Sequence, residues 1–281
     1  MRRPQDGFII GAQASGNDQA IVSIAREEQA RGSFMLKSND VATDRTATLA
    51  VLIDGDNVSP KVIEGLLAEV ATYGAAGVRR VYGDWTSPNL KGWKACLLEH
   101  SLQPMQQFAY TTGKNATDGA MIIDAMDLLY TGKFAGFCIV SSDSDFVRLA
   151  QRIREQAVLV YGFGERKTPR PFITACDKFI YFDVLGAPAE ALEEAKPSPT
   201  PKRAIDKAGK ALLRAAAAAV ADESGWANLG AVGSHIAKQS PDFDSRNYGF
   251  SRLSDLVEAA GLFEVDRSEK RQKGVLVRPK T

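Results

Sequence analysis

From Thr48 onward, short apolar runs rich in branched and aromatic residues alternate with longer stretches whose apolar positions recur at helical spacing. The runs are TLAVLI (48–53), VRRVYG (78–83), PMQQFAY (104–110), FCIVSS (137–142), AVLVYGF (157–163) and KFIYFD (178–183). Between them the spacing predicts helices over Pro60–Tyr73, Leu90–Glu99, Asp118–Tyr130 and Asp145–Gln156. Strands alternating with helices of about 10 to 15 residues predict βαβ units, a parallel sheet and helices on both of its faces. Such sheets gather their sites at the C-terminal ends of the strands.

Outside this region the pattern changes. Residues 1–44 carry Gly, Gln, Ser, Asn and Asp with no sustained period, and are expected to form a flexible extension. Residues 186–203 combine Glu and Ala with four prolines, three of them alternating in PSPTP, which favours extended geometry and predicts a linker. Beyond it, helices are expected over Ala204–Val220, Leu229–Lys238 and Ser245–Ala260. Leu262–Val265 and Gly274–Val277 then alternate like a hairpin around the charged turn DRSEKRQK. Three helices and a two-stranded wing predict a winged helix over 204–281, with a three-helix bundle as the alternative. The expected organisation is thus an extension (1–44), an α/β domain (45–185), a linker (186–203) and a small C-terminal domain (204–281).

Of the 281 residues, 44% are apolar and 25% charged, which excludes collagen-like, disulfide-rich and wholly disordered classes. No run approaches the ~20 apolar residues of a membrane helix, so a cytoplasmic protein without a membrane partner is expected. Cys96, Cys138 and Cys176 are widely spaced and without a CxxC, which predicts reduced thiols. His100 and His235 are the only histidines, so a His-rich metal site or a Ser-His-Asp triad has little to draw on.

The 35 basic and 34 acidic residues give a net charge of +1, which taken alone argues against a nucleic-acid partner. Split along the chain, the balance reads differently. Residues 45–185 carry 15 of each sign, whereas residues 202–281 carry 14 basic and 10 acidic, a net +4.

The acids of the first domain are unevenly placed. Asp54 and Asp56 follow the first strand, Asp84 the second, and Asp143 and Asp145 the fourth, while Asp118 opens the helix leading into the fourth. Any one of them would serve as a helix cap or turn residue. Four crossings delivering carboxylates to one rim ask for more. Gathered carboxylates repel and resist ionisation unless a cation joins them. A hard divalent ion, Mg²⁺ or Mn²⁺, takes oxygen ligands and leaves positions open for phosphate, so the chemistry suggested is metal-assisted hydrolysis. Asp54, Asp118, Asp143 and Asp145 are the candidate ligands, with Thr117 available to cap the helix at Asp118. Asp84 is the weaker member, because Trp85, Thr86 and Ser87 make it equally a turn residue. Asn57 either orients Asp54 or caps the helix starting at Pro60. Asp124 and Asp127 are expected on a solvated or interdomain face.

The segments LIDGDN (52–57), VYGDW (81–85), GKNATDGAMIIDAMDLLY (113–130), GFCIVSSDSDFVRLAQRIRE (136–155) and VYGFGE (160–165) together resemble the NYN domain, a PIN-like nuclease fold, of the LabA-like group. The resemblance implies a sheet of order 3-2-1-4-5 and a metal-dependent ribonuclease site. Its acidic positions fall on Asp54, Asp84, Asp118, Asp143 and Asp145, with Asn57 close by. GWANLGAVGSHI (225–236), SRNYGFSRLSDLVEAAGLFEV (245–265) and GVLVRP (274–279) resemble the LOTUS or OST-HTH domain, a winged helix. That resemblance implies RNA binding or protein docking.

Candidate phosphate contacts near the rim are Lys114, Arg166, Lys167 and Arg170. Trp85 and Phe163 are candidates to stack on bases, with core packing the alternative for both. In the C-terminal domain the RNA-facing candidates are Arg246, Tyr248, Arg252, Lys270, Arg271 and Lys273. A Mg²⁺- or Mn²⁺-dependent endoribonuclease is the leading expectation, and an RNA-binding adaptor with little or no turnover is the alternative. A phosphatase using Asp54-Gly55-Asp56 is disfavoured because Asn57 stands where that pattern usually has Thr or Val.

Overall fold

The computed structural model describes residues 47–108, 116–186, 205–267 and 274–280. Six parallel strands form one sheet: β1 (Thr48–Asp54), β2 (Ala75–Gly83), β3 (Gln103–Gln106), β4 (Gly136–Val140), β5 (Leu159–Gly164) and β6 (Lys178–Tyr181), in the order β3-β2-β1-β4-β5-β6. The order is the one the resemblance implies, extended by β6. β1 lies at the centre, and every residue from Leu49 to Asp54 is buried. Its alternate side chains serve different cores. Leu49, Val51 and Ile53 pack with α1 (Ile63–Ala71) and α2 (Trp93–Glu99), through Ile63, Leu66, Val70 and Trp93. Ala50 and Leu52 pack with α3 (Ala116–Tyr130), α4 (Val147–Glu155) and α5 (Arg170–Ala175), through Met121, Leu149 and Phe172. The result is three layers, helix on sheet on helix, which explains why the strands read as continuous apolar runs. No periodicity in the sequence predicts α5, which has six residues and begins after Pro169.

The C-terminal part has its own core. Leu213 and Ala217 of α6 (Lys207–Ala219), Val232 and Ile236 of α7 (Leu229–Gln239) and Val257 of α8 (Leu253–Ala260) close on Phe263 and Val277. Phe263 lies on β8 (Phe263–Asp266) and Val277 on β9 (Leu276–Pro279), and with β7 (Ala227–Asn228) these form an antiparallel sheet of order β7-β9-β8. β7 is absent from the sequence reading because two residues are too few to alternate. The helix expected over Ser245–Ala260 is interrupted: a 3₁₀ turn at Ser245–Tyr248 ends at Gly249, whose φ of 82° lies in the left-handed region, and α8 starts only at Leu253.

Residues 240–248 seat this part against the parallel sheet. β6 is the outermost strand, and the Phe179 N–H on its open edge donates to the Pro241 carbonyl at 2.9 Å. Asp242 accepts two hydrogen bonds from Arg170, at 2.8 and 2.9 Å, and one from the Tyr181 hydroxyl at 2.9 Å. Arg246 reaches Glu69 of α1 at 2.6 and 3.0 Å while also pairing with Asp244. No helix among the described residues is long and apolar enough to cross a membrane.

Candidate metal centre

β1 delivers Asp54 at its last residue, fully buried. The chain then turns sharply. Gly55 donates its N–H to the Tyr82 carbonyl at 2.8 Å, and a Cβ at 55 would lie 2.8 Å from that same oxygen, so the turn has no room for a side chain. The turn brings Asn57 back over Asp54. The Asn57 side-chain amide donates to Asp54 Oδ2 at 2.9 Å and its backbone N–H to Oδ1 at 3.3 Å, whereas Ser59 caps the following 3₁₀ turn. Asn57 thus hydrogen-bonds Asp54, and the cap before Pro60 is Ser59 instead.

Ser141, immediately after β4, is a member of the constellation that acidic patterning does not reveal. Fully buried, its hydroxyl donates to Asp54 Oδ2 at 2.8 Å and accepts from the Asp143 N–H at 3.1 Å. It ties the carboxylate at the end of β1 to the acidic loop at the end of β4. The available signal was its place in SSDSD, one residue beyond a fully buried strand. Its neighbour Ser142 accepts from the Glu165 N–H at 2.8 Å and fixes the loop after β5 to the same rim.

Asp118 lies in the first turn of α3, Asp143 caps the 3₁₀ turn Ser144–Phe146 through the Asp145 N–H, and Asp145 is that turn's second residue. Each of the three offers a carboxylate oxygen within 4.8 Å of the other two. They are graded in exposure, from buried Asp118 through half-buried Asp143 to exposed Asp145. Burial, joined by the charges of Asp54, Asp143, Asp145 and Asp56, pushes Asp118 up to about 6. Burial also raises Asp54, against the opposing hydrogen bonds from Asn57 and Ser141. Thr117 does not act as the cap for Asp118: α3 starts one residue earlier, and the Thr117 hydroxyl donates to Asp56 at 2.8 Å. A set of oxygen donors that repel one another and resist full ionisation matches what a hard divalent cation stabilises.

The remaining expected residues are placed differently. Asp84 sits after β2 and its Oδ1 accepts from Thr86, both N–H and hydroxyl, and from Gln106, at 2.6 to 3.1 Å, as a turn residue does. It is not among the charges that act most strongly on Asp118. Phe163 is fully buried in the core and closed to a base, whereas Trp85 is half-buried against the same core with its indole N–H donating to the Met105 carbonyl at 3.1 Å. Asp124 is half-buried and accepts from Arg80 and from the Tyr82 hydroxyl against β2, while Asp127 is exposed.

The basic candidates on the rim and beyond are largely engaged. Arg166 pairs with Asp183, donates to Asn247 at 3.0 Å and lies 4.0 Å over the Tyr181 ring. Arg170 is held by Asp242, Lys167 by Glu165 at 2.9 Å, and Arg246 by Glu69 and Asp244. Each therefore already has a carboxylate partner. Tyr248 lines a cleft of 620 Å³ with Arg166, Arg170, Tyr181 and Asp206, between the parallel sheet and α6. Arg252 is exposed. Lys114, Lys270, Arg271 and Lys273 lie outside the described residues.

Comparison with known proteins gives two family matches: the NYN domain over residues 48–185 and the OST-HTH/LOTUS domain over residues 200–275. Among solved structures, a protein of unknown function from Vibrio parahaemolyticus is 21% identical, with 50% of this chain and 96% of that one covered and a TM-score of 0.42. An uncharacterized protein from Nitrosomonas europaea is 35% identical over 32% of this chain and 90% of its own, with a TM-score of 0.26. No curated protein matches.

Proposed function

Because the chain is an NYN-domain protein with an OST-HTH/LOTUS domain behind the nuclease-like fold, we propose that it is a divalent-metal-dependent endoribonuclease whose C-terminal domain holds the RNA. The observation that carries the reading is the convergence of Asp118, Asp143 and Asp145 at the C-terminal rim of the parallel sheet. These three side chains would hold Mg²⁺ or Mn²⁺, and the bound ion would polarise the phosphodiester and lower the pKa of an attacking water. Asp54, fully buried at the end of β1 with its oxygens directed by Asn57 and Ser141, would hold the acidic cluster in register. Asp145, the most exposed of the three, would orient the attacking water. Products with 5′-phosphate and 3′-hydroxyl ends are expected.

The test is incubation of wild type and Asp54→Asn with a mixed RNA pool in Mn²⁺ or Mg²⁺, followed by sequencing of the cut ends. Loss of cleavage in a variant that keeps its circular dichroism spectrum supports the assignment. Full activity of the variant, or of wild type in excess EDTA, contradicts it. RNA binding without cleavage in either metal would point to the adaptor reading, which the ion-paired state of Arg166 and Arg170 favours by weakening substrate grip at the rim.

A further inference from the structure

We propose that Lys61, Lys91 and Lys94 form a phosphate-binding patch on the rim beside Asp54, gripping the RNA strand next to the bond to be cut; this rests on the ribonuclease reading above. An acidic rim repels a polyanion, so a substrate drawn to it needs cations nearby that are not already neutralised. The arginines and lysine after β5 do not meet that need, since each is paired with a carboxylate. The opposite flank, over the ends of β1 and β2, does.

Lys61 lies in the 3₁₀ turn Pro60–Val62 that follows the Asp54 loop, Lys91 in the turn Pro88–Gly92 that follows Asp84, and Lys94 in the first turn of α2. Two packing contacts bring these segments together over the rim. The buried Leu90 side chain fills the space above Gly55 and Gly83, its Cδ2 lying 3.5 Å from where a Cβ on Gly55 would be and its Cδ1 2.7 Å from that of Gly83. The Pro60 ring lies 3.3 Å from the corresponding point on Gly92. The two turns therefore touch each other and cap the two strands that deliver Asp54 and Asp84.

All three lysines are exposed, and among the described residues none pairs with a carboxylate. Neither turn, nor α2, has an acidic residue in its first turn. Lys91 and Lys94 are three positions apart, which at helical spacing sets their Cβ atoms ~5–6 Å from each other, a mildly destabilising like-charge pair when no counterion is present. A strand of phosphates beside the metal centre supplies the counterion.

The experiment is fluorescence anisotropy of a labelled single-stranded RNA on the full chain, with Asp118→Asn as the non-cleaving background, over a range of salt concentrations. Replacing all three lysines by Ala is expected to flatten the slope of log affinity against log salt by about 2, from roughly 0.7 per phosphate contact, and to weaken binding on the order of 10- to 100-fold at 0.1 M salt. The single variants Lys61→Ala, Lys91→Ala and Lys94→Ala should each remove about a third of that slope change. Lys133→Ala, an exposed lysine ahead of β4 at the other end of the sheet, should leave it unchanged. Parent-like affinity and slope in the triple variant, with RNA still bound by the background protein, overturns the patch alone. Absence of RNA binding by the background and wild-type proteins overturns the RNA reading together with it.

Discussion

At the scale of single residues, the site is a negotiation between burial and charge. Asp118 is raised from 3.8 to about 6 first by burial and then by its carboxylate neighbours. Because its folded pKa lies above the unfolded one, the metal-free native state binds its proton more tightly, and the stabilising contribution is complete below about pH 4 and is lost as pH rises through 6. EDTA-treated protein should therefore lose thermal stability at this group between pH 4 and 7, and Mn²⁺ should restore it most at the upper end, where no proton competes. A melting-temperature series with and without Mn²⁺ checks both signs; a Mn²⁺ effect as large at pH 4.5 as at pH 7 contradicts them. Asn57 and Ser141 oppose the burial of the Asp54 carboxylate charge, each with a hydrogen bond shorter than 3 Å. Ser141→Ala removes the donor to Asp54 and the acceptor of the Asp143 N–H at once, and should lower Mn²⁺ affinity by roughly 10- to 100-fold, as loss of an outer-shell partner does. Calorimetric titration with Mn²⁺ measures it, and wild-type affinity in the variant would assign Ser141 a packing role only.

At the scale of elements, the site depends on how β1 ends. Gly55→Ala would press a methyl group against the Tyr82 carbonyl and the Val81 side chain, both 2.8 Å away, and a backbone oxygen in the centre of a sheet has little freedom to retreat. Overpacking of this kind is expected to cost ~1–3 kcal/mol, and chemical denaturation should show it. In the core beneath, Leu52→Ala should cost ~2–5 kcal/mol, since Leu52 is fully buried between the sheet and α3. These elements were legible in the sequence because parallel strands buried on both faces show as unbroken apolar runs, and because carboxylates after such runs must lie on one rim. Other features left no such trace. Ser141 is missed because one buried hydroxyl resembles any loop serine, and α5 because six residues are too few to display a period. The ion-paired fate of Arg166, Arg170 and Arg246 follows from contacts more than 70 residues apart for Arg170 and Arg246, which local patterning does not encode.

At the scale of the whole molecule, the C-terminal part closes the open edge of the parallel sheet. Arg246 is the pivot, bound at once to Glu69 of α1 and to Asp244 beside it. Burial alone would raise the two acids, yet Arg246 outweighs it and holds both below their usual range. A depressed carboxylate stabilises above its unfolded pKa and loses that contribution as pH falls, so the clamp should loosen below about pH 4. Arg246→Ala strands two partly buried carboxylates and should weaken the docking at neutral pH, seen as a lower melting temperature or as two separated calorimetric transitions. A single transition at the wild-type temperature would mean that the Pro241 and Asp242 contacts suffice. The docking also links the two activities proposed for the chain, because the loop from Glu165 to Arg170 is fixed to the acidic rim at Ser142 and to the C-terminal part at Asp242 and Asn247. The central claim, that the rim of Asp118, Asp143 and Asp145 cuts RNA with a divalent ion, is tested most directly by single-turnover cleavage of an end-labelled RNA in Mn²⁺. Wild type should cut and leave 5′-phosphate ends, while Asp118→Asn and EDTA-treated wild type should each be slower by on the order of 10²-fold or more. Equal cleavage by wild type and Asp118→Asn, or cleavage indifferent to EDTA, would contradict it.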